Sequence, residues 1–172
     1  RGARILAELV GYGCRSDAFR VTDMHEEGRG PIQAMRAAIA DAGLTTQDID
    51  YVNTHGTSTL ENDAIETLAI KTVFGDRARQ VPASSVKSML GHLIGAAGAA
   101  ELIAAVLAIR DGVVPPTMNL HDPDPKLDLD YVPNAPRKMP VHVVMKESFG
   151  FGGQNNVVIL KQYCEEGSER VP

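Results

Sequence analysis

Apolar residues along the chain recur with two periods, and the alternation between these periods predicts an α/β domain. Short runs rich in β-branched residues predict strands over residues 4–12, 48–53, 81–85, 142–147 and 156–161. Apolar residues three and four positions apart predict one helix that begins near Pro31 and a second over 61–74. A third helix is predicted over 92–110. This order, with two strands at the end, is typical of helices packed on a mixed sheet.

The same pattern predicts faces and ends for these elements. In the 61–74 helix, one face is predicted to carry Ile65, Leu68, Ala69, Thr72 and Val73. The 92–110 helix is apolar almost all round, which is typical of a helix buried on several sides, here between two layers of sheet. A glycine is expected to end the first strand, and the prolines between residues 115 and 140 predict a long irregular connection.

Composition and charge narrow the possible functions. The 172 residues carry a net charge of −5 without a Lys/Arg-rich run, so no nucleic-acid partner is expected. Cys14 and Cys164 lie far apart and lack zinc-ligand spacing, which excludes a metal site of that kind and fits a reducing cytoplasm. The longest apolar stretch, 93–109, is interrupted by Glu101 and is shorter than the roughly 20 residues of a membrane span. We therefore expect a cytoplasmic protein without a membrane span.

Two histidines stand out because each follows a predicted strand and precedes a helix-like run. His55 lies in Asn-Thr-His-Gly-Thr-Ser-Thr at 53–59, and His92 follows Lys-Ser-Met-Leu-Gly at 87–91. Open α/β sheets build their sites at the carboxyl ends of strands, so we expect both rings there. With the glycine-rich turn Ser-Phe-Gly-Phe-Gly-Gly at 148–153, they predict a site that holds a carbonyl oxygen with neutral imidazoles and backbone amides. For either histidine alone, the simpler interpretation is a ring that caps a loop through backbone hydrogen bonds.

These three segments, in this order, resemble motifs in the C-terminal half of the β-ketoacyl-[acyl-carrier-protein] synthases of the thiolase superfamily, of the type with two active-site histidines. The resemblance runs from about residue 1 to 160 and includes Gly-His-Leu-Ile-Gly-Ala-Ala-Gly at 91–98 and Val-Pro-Pro-Thr-Met-Asn-Leu at 114–120. It implies a thiolase-like α/β fold with a mixed five-stranded sheet and a buried central helix. It assigns residues 1–164 to this half, with 1–13 as the last strand of the N-terminal half and 165–172 as a loose tail.

The resemblance also implies a decarboxylative Claisen condensation of an acyl thioester with malonyl-acyl carrier protein, in fatty-acid or polyketide elongation. His55 and His92 match the pair that stabilises the enolate oxygen, at roughly 3–4 kcal/mol for each donor. Lys87 matches a lysine that orients the histidines or acts in decarboxylation, and Glu101 matches its ion-pair partner. Phe151 matches a gating residue whose backbone N–H joins the acyl oxyanion hole.

Five more positions match gating or substrate-binding residues. Phe149 matches the neighbouring ring that moves with Phe151, and Gly150 and Gly152 would permit that movement. Thr57 and Thr59 resemble threonines that hydrogen-bond a phosphopantetheine arm. The residues alone leave simpler interpretations open: a surface lysine at position 87, a plain tight hairpin at 148–153, and threonines that cap a helix.

The site implied by the resemblance is incomplete, because the family's nucleophile is a cysteine in the N-terminal half. Neither cysteine of this chain lies in such a motif. The chain begins at Arg1 without an initiator methionine, so we expect further residues before it. The missing half, from the same polypeptide or a companion chain, is expected to cover a large apolar surface. An acyl carrier protein would bring the phosphopantetheine arm, no cofactor would be bound, and the assembly would be a homodimer or a ketosynthase-like heterodimer.

Two alternatives share the implied fold: a non-catalytic subunit that sets chain length, and an acyl-binding scaffold. The first is disfavoured because such subunits tend to lose the histidine pair. The sequence also departs from the commonest family pattern, with Gln154-Asn155 after the glycine turn, Glu147 where asparagine is more usual, and Leu-Glu-Asn-Asp at 60–63. These departures leave the implied reaction intact but concern substrate length and carrier partner.

Overall fold

The computed structural model describes residues 2–165, so most of the predicted loose tail lies outside the described residues. The strands are β1 (Ala7–Ser16), β2 (Tyr51–Asn53), β3 (Ala83–Ser84), β4 (Val113–Val114), β5 (Arg137–Lys138), β6 (Val143–Gly150) and β7 (Gln154–Gln162). The helices are α1 (Arg29–Asp41), α2 (Leu60–Phe74), α3 (Lys87–Leu90) and α4 (Ala97–Asp111), with 3₁₀ turns at Thr46–Asp48, Gly75–Arg79 and Ile94–Ala96.

The five predicted strands form one mixed sheet in the order β1-β7-β6-β2-β3. β2 runs parallel to β3 and β6, whereas β7 is antiparallel to both β6 and β1. The predicted α/β class with a five-stranded mixed sheet is therefore confirmed. β1 is an edge strand of this sheet, and its assignment to an N-terminal half stays a prediction. The connection predicted as irregular also forms the small antiparallel pair β4–β5.

Successive side chains of a strand point to opposite faces of the sheet, so the sheet has two apolar faces. Helices cover both of them. On β6, Met145 packs in the core that contains α1 and α2, and Val144 packs in the core that contains α4. Because β2, β3 and β6 are parallel, their carboxyl ends lie at one edge of the sheet, between the two helical layers. No helix within residues 2–165 is long and apolar enough to cross a membrane.

The prediction that a glycine ends the first strand is wrong, since β1 continues through Gly11 and Gly13 to Ser16. A Cβ atom at Gly13 would lie 2.0 Å from the carbonyl oxygen of Ala34, and one at Gly11 would lie 2.4 Å from that of Ala38. Helix α1 thus packs directly on the strand backbone. These glycines serve that close approach and do not end the strand.

The predicted face of α2 is only partly correct. Ile65 and Ala69 are buried, but Leu68 is 42% exposed and Thr72 is also exposed. The buried residues of α2 also include three polar ones and two further apolar ones, namely Asn62, Glu66, Thr67, Ile70 and Phe74. The helix is rotated relative to its apolar pattern because a buried carboxylate binds a neighbouring loop, as described below.

The third predicted helix begins later than expected, and α4 starts at Ala97. Gly91 and Ile94 have φ angles of +75° and +51°, which break the helical path between His92 and the start of α4. Within the described residues, α4 buries one stripe against the sheet, whereas Ile103 on the opposite side is 62% exposed. Within residues 2–165, the large sheet covers one side of α4 and the only other sheet is the two-stranded pair β4–β5, so the predicted burial between two layers of sheet stays a prediction for the complete protein.

Candidate active site

The two predicted histidines lie together at the carboxyl edge of the sheet. His55 follows β2 by two residues, and His92 follows α3 after Gly91. Their ring centroids are 5.9 Å apart, with ring planes at 85°. Because β2 and β3 are parallel neighbours, the loops that follow them leave the sheet on the same side, and this brings the two rings into contact.

Hydrogen bonds to Nδ1 indicate the tautomer of both rings. The Lys87 ammonium, which can only donate, lies 3.3 Å from Nδ1 of His55. The backbone N–H of Ile94 donates to Nδ1 of His92 at 3.0 Å. Each Nδ1 is thus an acceptor, so each neutral ring carries its proton on Nε2. The positive φ of Ile94, unusual for a β-branched residue, accompanies the bond that orients His92.

His55 is neutral at physiological pH. Burial lowers its pKa to about 3, and the positive charges of Lys87 and Lys146 and the neighbouring His92 act in the same direction. A neutral imidazole has one N–H to offer, and the tautomer described above places it on Nε2. The ring therefore suits donation to an oxygen that becomes negative, and it is a poor general acid.

Lys87 is buried, so the interpretation as a surface lysine is wrong. Its ammonium donates to the backbone carbonyl of His55 and forms an ion pair of 2.5 Å with Oε1 of Glu101. The ion pair that the resemblance implies between these two residues is therefore present behind the histidines. Their roles in a reaction stay predictions.

Two buried charged residues at this site were missed from the sequence. The ammonium of Lys146 on β6 lies 2.8 Å from Oε2 of Glu101 and also donates to the hydroxyl of Ser148. Glu66 on α2 accepts the backbone N–H groups of His55 at 2.6 Å and Gly56 at 2.9 Å. Lys146 follows an apolar run in a predicted strand, which is a usable signal, whereas a glutamate in a helix is usually exposed and gives none.

The glycine-rich segment forms the end of β6 and the turn to β7. Phe149 is buried, with its ring centroid 5.7 Å from that of His55, whereas Phe151 is 78% exposed in the turn. Gly152 and Gly153 have φ angles of +84° and +73°, as glycine permits, but Gly150 lies in extended backbone. The structure therefore brings Phe149 to the histidines and leaves the ring of Phe151 at the surface, and the predicted gating is untested.

Thr57 and Thr59 lie beside a cavity of about 390 Å³ in front of α2. Their hydroxyls are 2.9 Å apart, and Thr59 occupies the N-cap position of α2 without a side-chain capping bond. Thr57 lines the cavity together with His92 and Lys87. This position suits a polar ligand that reaches His92, but the predicted contact with a phosphopantetheine arm is untested.

The arrangement can supply hydrogen-bond donors but no nucleophile. Cys14 and Cys164 are both exposed, on β1 and just after β7. Among residues 2–165, no cluster of histidine, cysteine and carboxylate side chains could hold a metal ion. The site therefore resembles an oxyanion hole built from two imidazoles, with a buried ionic network behind it.

Comparison with known proteins identifies the family of this chain. A family model described as "Beta-ketoacyl synthase, C-terminal domain" matches residues 6–121. Nodulation protein E of Rhizobium meliloti is 54% identical over 162 residues, which are 94% of this chain and 40% of that protein. The 3-oxoacyl-[acyl-carrier-protein] synthase 2 of Coxiella burnetii is 48% identical over 94% of this chain and 39% of its own length.

Solved structures agree with this assignment. A type II PKS acyl-carrier protein in complex with its ketosynthase matches with a TM-score of 0.92 and 39% identity, over 95% of this chain and 40% of that chain. The ishigamide ketosynthase/chain length factor matches with a TM-score of 0.90 and 43% identity, over the same shares of the two chains. The chain thus spans about 40% of the length of these relatives. It belongs to the β-ketoacyl synthase family, where it corresponds to the C-terminal domain.

Proposed function

We propose that the complete protein catalyses the decarboxylative Claisen condensation of an acyl thioester with malonyl-acyl carrier protein, and that this chain supplies His55 and His92. The observation that carries the proposal is the pair of neighbouring rings with their protons on Nε2. The relatives named 3-oxoacyl-[acyl-carrier-protein] synthase 2 support the same reaction class. The product would enter fatty-acid or polyketide elongation.

In this mechanism the malonyl thioester loses carbon dioxide, and the electron pair of the broken C–C bond moves to the thioester oxygen as an enolate. The Nε2–H groups of His55 and His92 donate to that oxygen and stabilise its charge. The enolate carbon then attacks the acyl carbonyl, and the thiolate of a cysteine outside this chain leaves. Loss of one such donor costs on the order of 10²–10³ in kcat at comparable sites. The backbone N–H of Phe151 would serve the acyl oxygen.

The orientation of His55 is fixed by contacts to its ring and to its backbone. Lys87 holds both the ring and the carbonyl of His55, and Glu66 holds its backbone N–H. The oxyanion donor is therefore fixed from three sides before substrate arrives, which is the arrangement that electrostatic catalysis requires. Lys87 and Glu101 act here as positioning residues.

Partners follow from the missing nucleophile. The other half of the ketosynthase would supply the cysteine, and an acyl carrier protein would bring the phosphopantetheine arm past Thr57 and Thr59, so no resident cofactor is needed. We further propose a homodimer or a ketosynthase-like heterodimer in the cytoplasm. Two solved relatives are ketosynthases described together with a chain length factor, which supports the heterodimeric form. The histidine pair favours the catalytic subunit of such a pair over its non-catalytic partner.

The test is malonyl decarboxylation by the complete protein with its carrier protein. His55→Ala and His92→Ala are each expected to lower kcat by about 10²–10³-fold, because each removes one donor to the enolate oxygen. His142→Ala is the matched control, since His142 is exposed just before β6, at the far end of that strand from the site. The proposal would be refuted if turnover stays unchanged in both site variants while their thermal unfolding curves show that both are folded.

A further inference from the structure

Two neighbouring ionisable residues on β6 are buried although the mechanism above uses neither. Lys146 is 1% exposed and Glu147 is 0% exposed. Successive side chains of a strand point to opposite faces, so the two side chains do not form a direct ion pair. A buried charge costs several kcal/mol unless it is paired or neutralised, and each residue therefore needs its own partner.

Lys146 finds its partner on the side of α4. Glu101 lies between two ammonium groups, with Oε2 at 2.8 Å from Lys146 and Oε1 at 2.5 Å from Lys87. Lys87 in turn contacts the carbonyl and Nδ1 of His55. Lys146 is thus linked to the ring of His55 through Glu101 and then Lys87.

Glu147 finds its partner on the side of α2. Within residues 2–165, neither carboxylate oxygen of Glu147 has a hydrogen-bond donor within reach, and the ionisable group that it faces is the carboxyl of Glu66. Burial and the charge of Glu66 raise the pKa of Glu147 well above its ordinary value. A fully buried carboxyl without a donor is stable only with its proton, which Glu147 can share with Glu66. The two oxygens of Glu66 accept the backbone N–H groups of His55 and Gly56.

The network is electrically neutral in this protonation state. Lys87 and Lys146 contribute two positive charges, Glu101 contributes one negative charge, and the carboxyl pair of Glu66 and Glu147 contributes one more because it shares one proton. Neutrality is what a buried cluster needs. It also explains how the lysine and the glutamate can both occupy this strand.

We propose that Lys146 and Glu147 are positioning residues for His55, with Lys146 acting through Glu101 and Lys87 on the ring and Glu147 acting through Glu66 on the loop backbone. The pair holds the imidazole so that Nδ1 accepts and Nε2 donates. The catalytic consequence rests on the proposed function, whereas the effect on the state of the ring does not.

The experiment compares Lys146→Met, Glu147→Met and Glu147→Gln in the complete protein. The two methionine variants are expected to lower kcat for malonyl decarboxylation by about 10–100-fold with little change in KM, the usual range for residues that orient an active group. Glu147→Gln is expected to stay within about threefold of wild type, because an amide can donate to Glu66 as the protonated carboxyl does. Lys138→Met, which removes an exposed lysine on β5, is the charge control.

A second readout does not depend on activity. The ¹⁵N shifts of His55, assigned by comparison with His55→Asn, report its tautomer and charge. Wild type and Glu147→Gln are expected to show one neutral form with the proton on Nε2, and the methionine variants a mixture or a ring that titrates at higher pH. Should Lys146→Met fail to fold, Lys146→Gln gives the same comparison with a polar end.

The outcomes separate this inference from the proposed function. Unaltered His55 shifts together with kcat within threefold of wild type in both Lys146→Met and Glu147→Met would overturn the inference. A tenfold or greater loss in Glu147→Gln would also overturn it, because that result requires an ionised Glu147. If the methionine variants alter the His55 shifts but even the wild-type protein shows no decarboxylation, the proposed function is refuted and the positioning role is left intact.

Discussion

Replacement of Glu101 by glutamine tests whether the buried ionic network is held by charge. Glu101 is almost fully buried between Lys87 and Lys146, at 2.5 and 2.8 Å. With an effective dielectric constant of about 20, each attraction is worth about 6 kcal/mol before desolvation is subtracted. Glu101→Gln keeps the volume but leaves two buried ammonium groups with one negative charge too few.

The loss of stability has an upper limit, because a lysine can release its proton. The ordinary pKa of a lysine side chain is 10.5, so neutralising Lys146 at pH 7 costs at most about 4.8 kcal/mol. Breaking a buried ion pair by removal of one partner typically costs 3–5 kcal/mol. We therefore expect Glu101→Gln to lower the free energy of unfolding of the complete protein by about 3–5 kcal/mol in urea titrations at pH 7.

The effect should depend on pH in a definite direction. In Glu101→Gln the folded-state pKa of Lys146 falls further below its unfolded value, because its counter-charge is gone. The unfolded state then binds more protons, so the stability of the variant rises with pH, by up to about 1.4 kcal/mol per pH unit. The gap to wild type should narrow between pH 7 and pH 10.

The control is Glu61→Gln, an exposed carboxylate in the first turn of α2, for which a loss below about 1 kcal/mol is expected. A loss below about 1 kcal/mol for Glu101→Gln, or a larger loss that does not change between pH 7 and pH 10, would refute the reasoning. In the first case the ion pairs contribute nothing net. In the second case the loss of stability does not come from unpaired charge on the lysines.

Three further predictions test the fold and the charge of the site. Gly13→Ala should lose about 1–3 kcal/mol or more, because its Cβ would meet a carbonyl oxygen of α1 at 2.0 Å, whereas Gly95→Ala, which meets nothing within 4 Å, should be nearly neutral in the same urea titration. Ile70→Ala should cost about 2–5 kcal/mol and Leu68→Ala less than about 1 kcal/mol, since only the first is buried; equal losses would contradict the observed face of α2. The pKa of His55 is about 3 in the folded protein and 6.5 in the unfolded chain, so the contribution of His55 to stability is fully present above pH 6.5 and is lost as the pH falls from 6.5 toward 3. His55→Asn should therefore weaken the pH dependence of the free energy of unfolding in this range.

The sheet and the histidine pair could be predicted because each depends on a local pattern. Strands β2 and β6 each begin with an apolar, β-branched run, and His55 lies two residues after β2. Parallel strands place their carboxyl ends at one edge, so residues after two such strands converge without knowledge of the intervening chain. The topology then decides the rest, and it brought His92 to His55.

The end of β1 and the face of α2 could not be predicted because they depend on contacts between distant elements. Gly13 has the same local signature whether it ends a strand or admits a helix, and the difference lies in where α1 packs. On α2, the apolar pattern includes Leu68, yet the helix turns Glu66 inward because the loop at His55 offers two backbone N–H groups that need an acceptor. Satisfying buried polar groups outweighed the burial of one leucine.

The adjacent lysine and glutamate on β6 show which features of the buried ionic network can be predicted from the sequence. A lysine and a glutamate side by side in a buried strand must point to opposite layers, so the sequence demands two separate partners. It does not say that Glu101 on α4 serves two lysines, or that the partner on α2 is another carboxylate. Burial and the neighbouring Glu66 carboxyl both raise the pKa of Glu147, so the proton that this residue keeps depends on how the layers pack around it. The protonation state that keeps the network neutral is therefore a property of the packed layers, and it appears only when β6 lies between them.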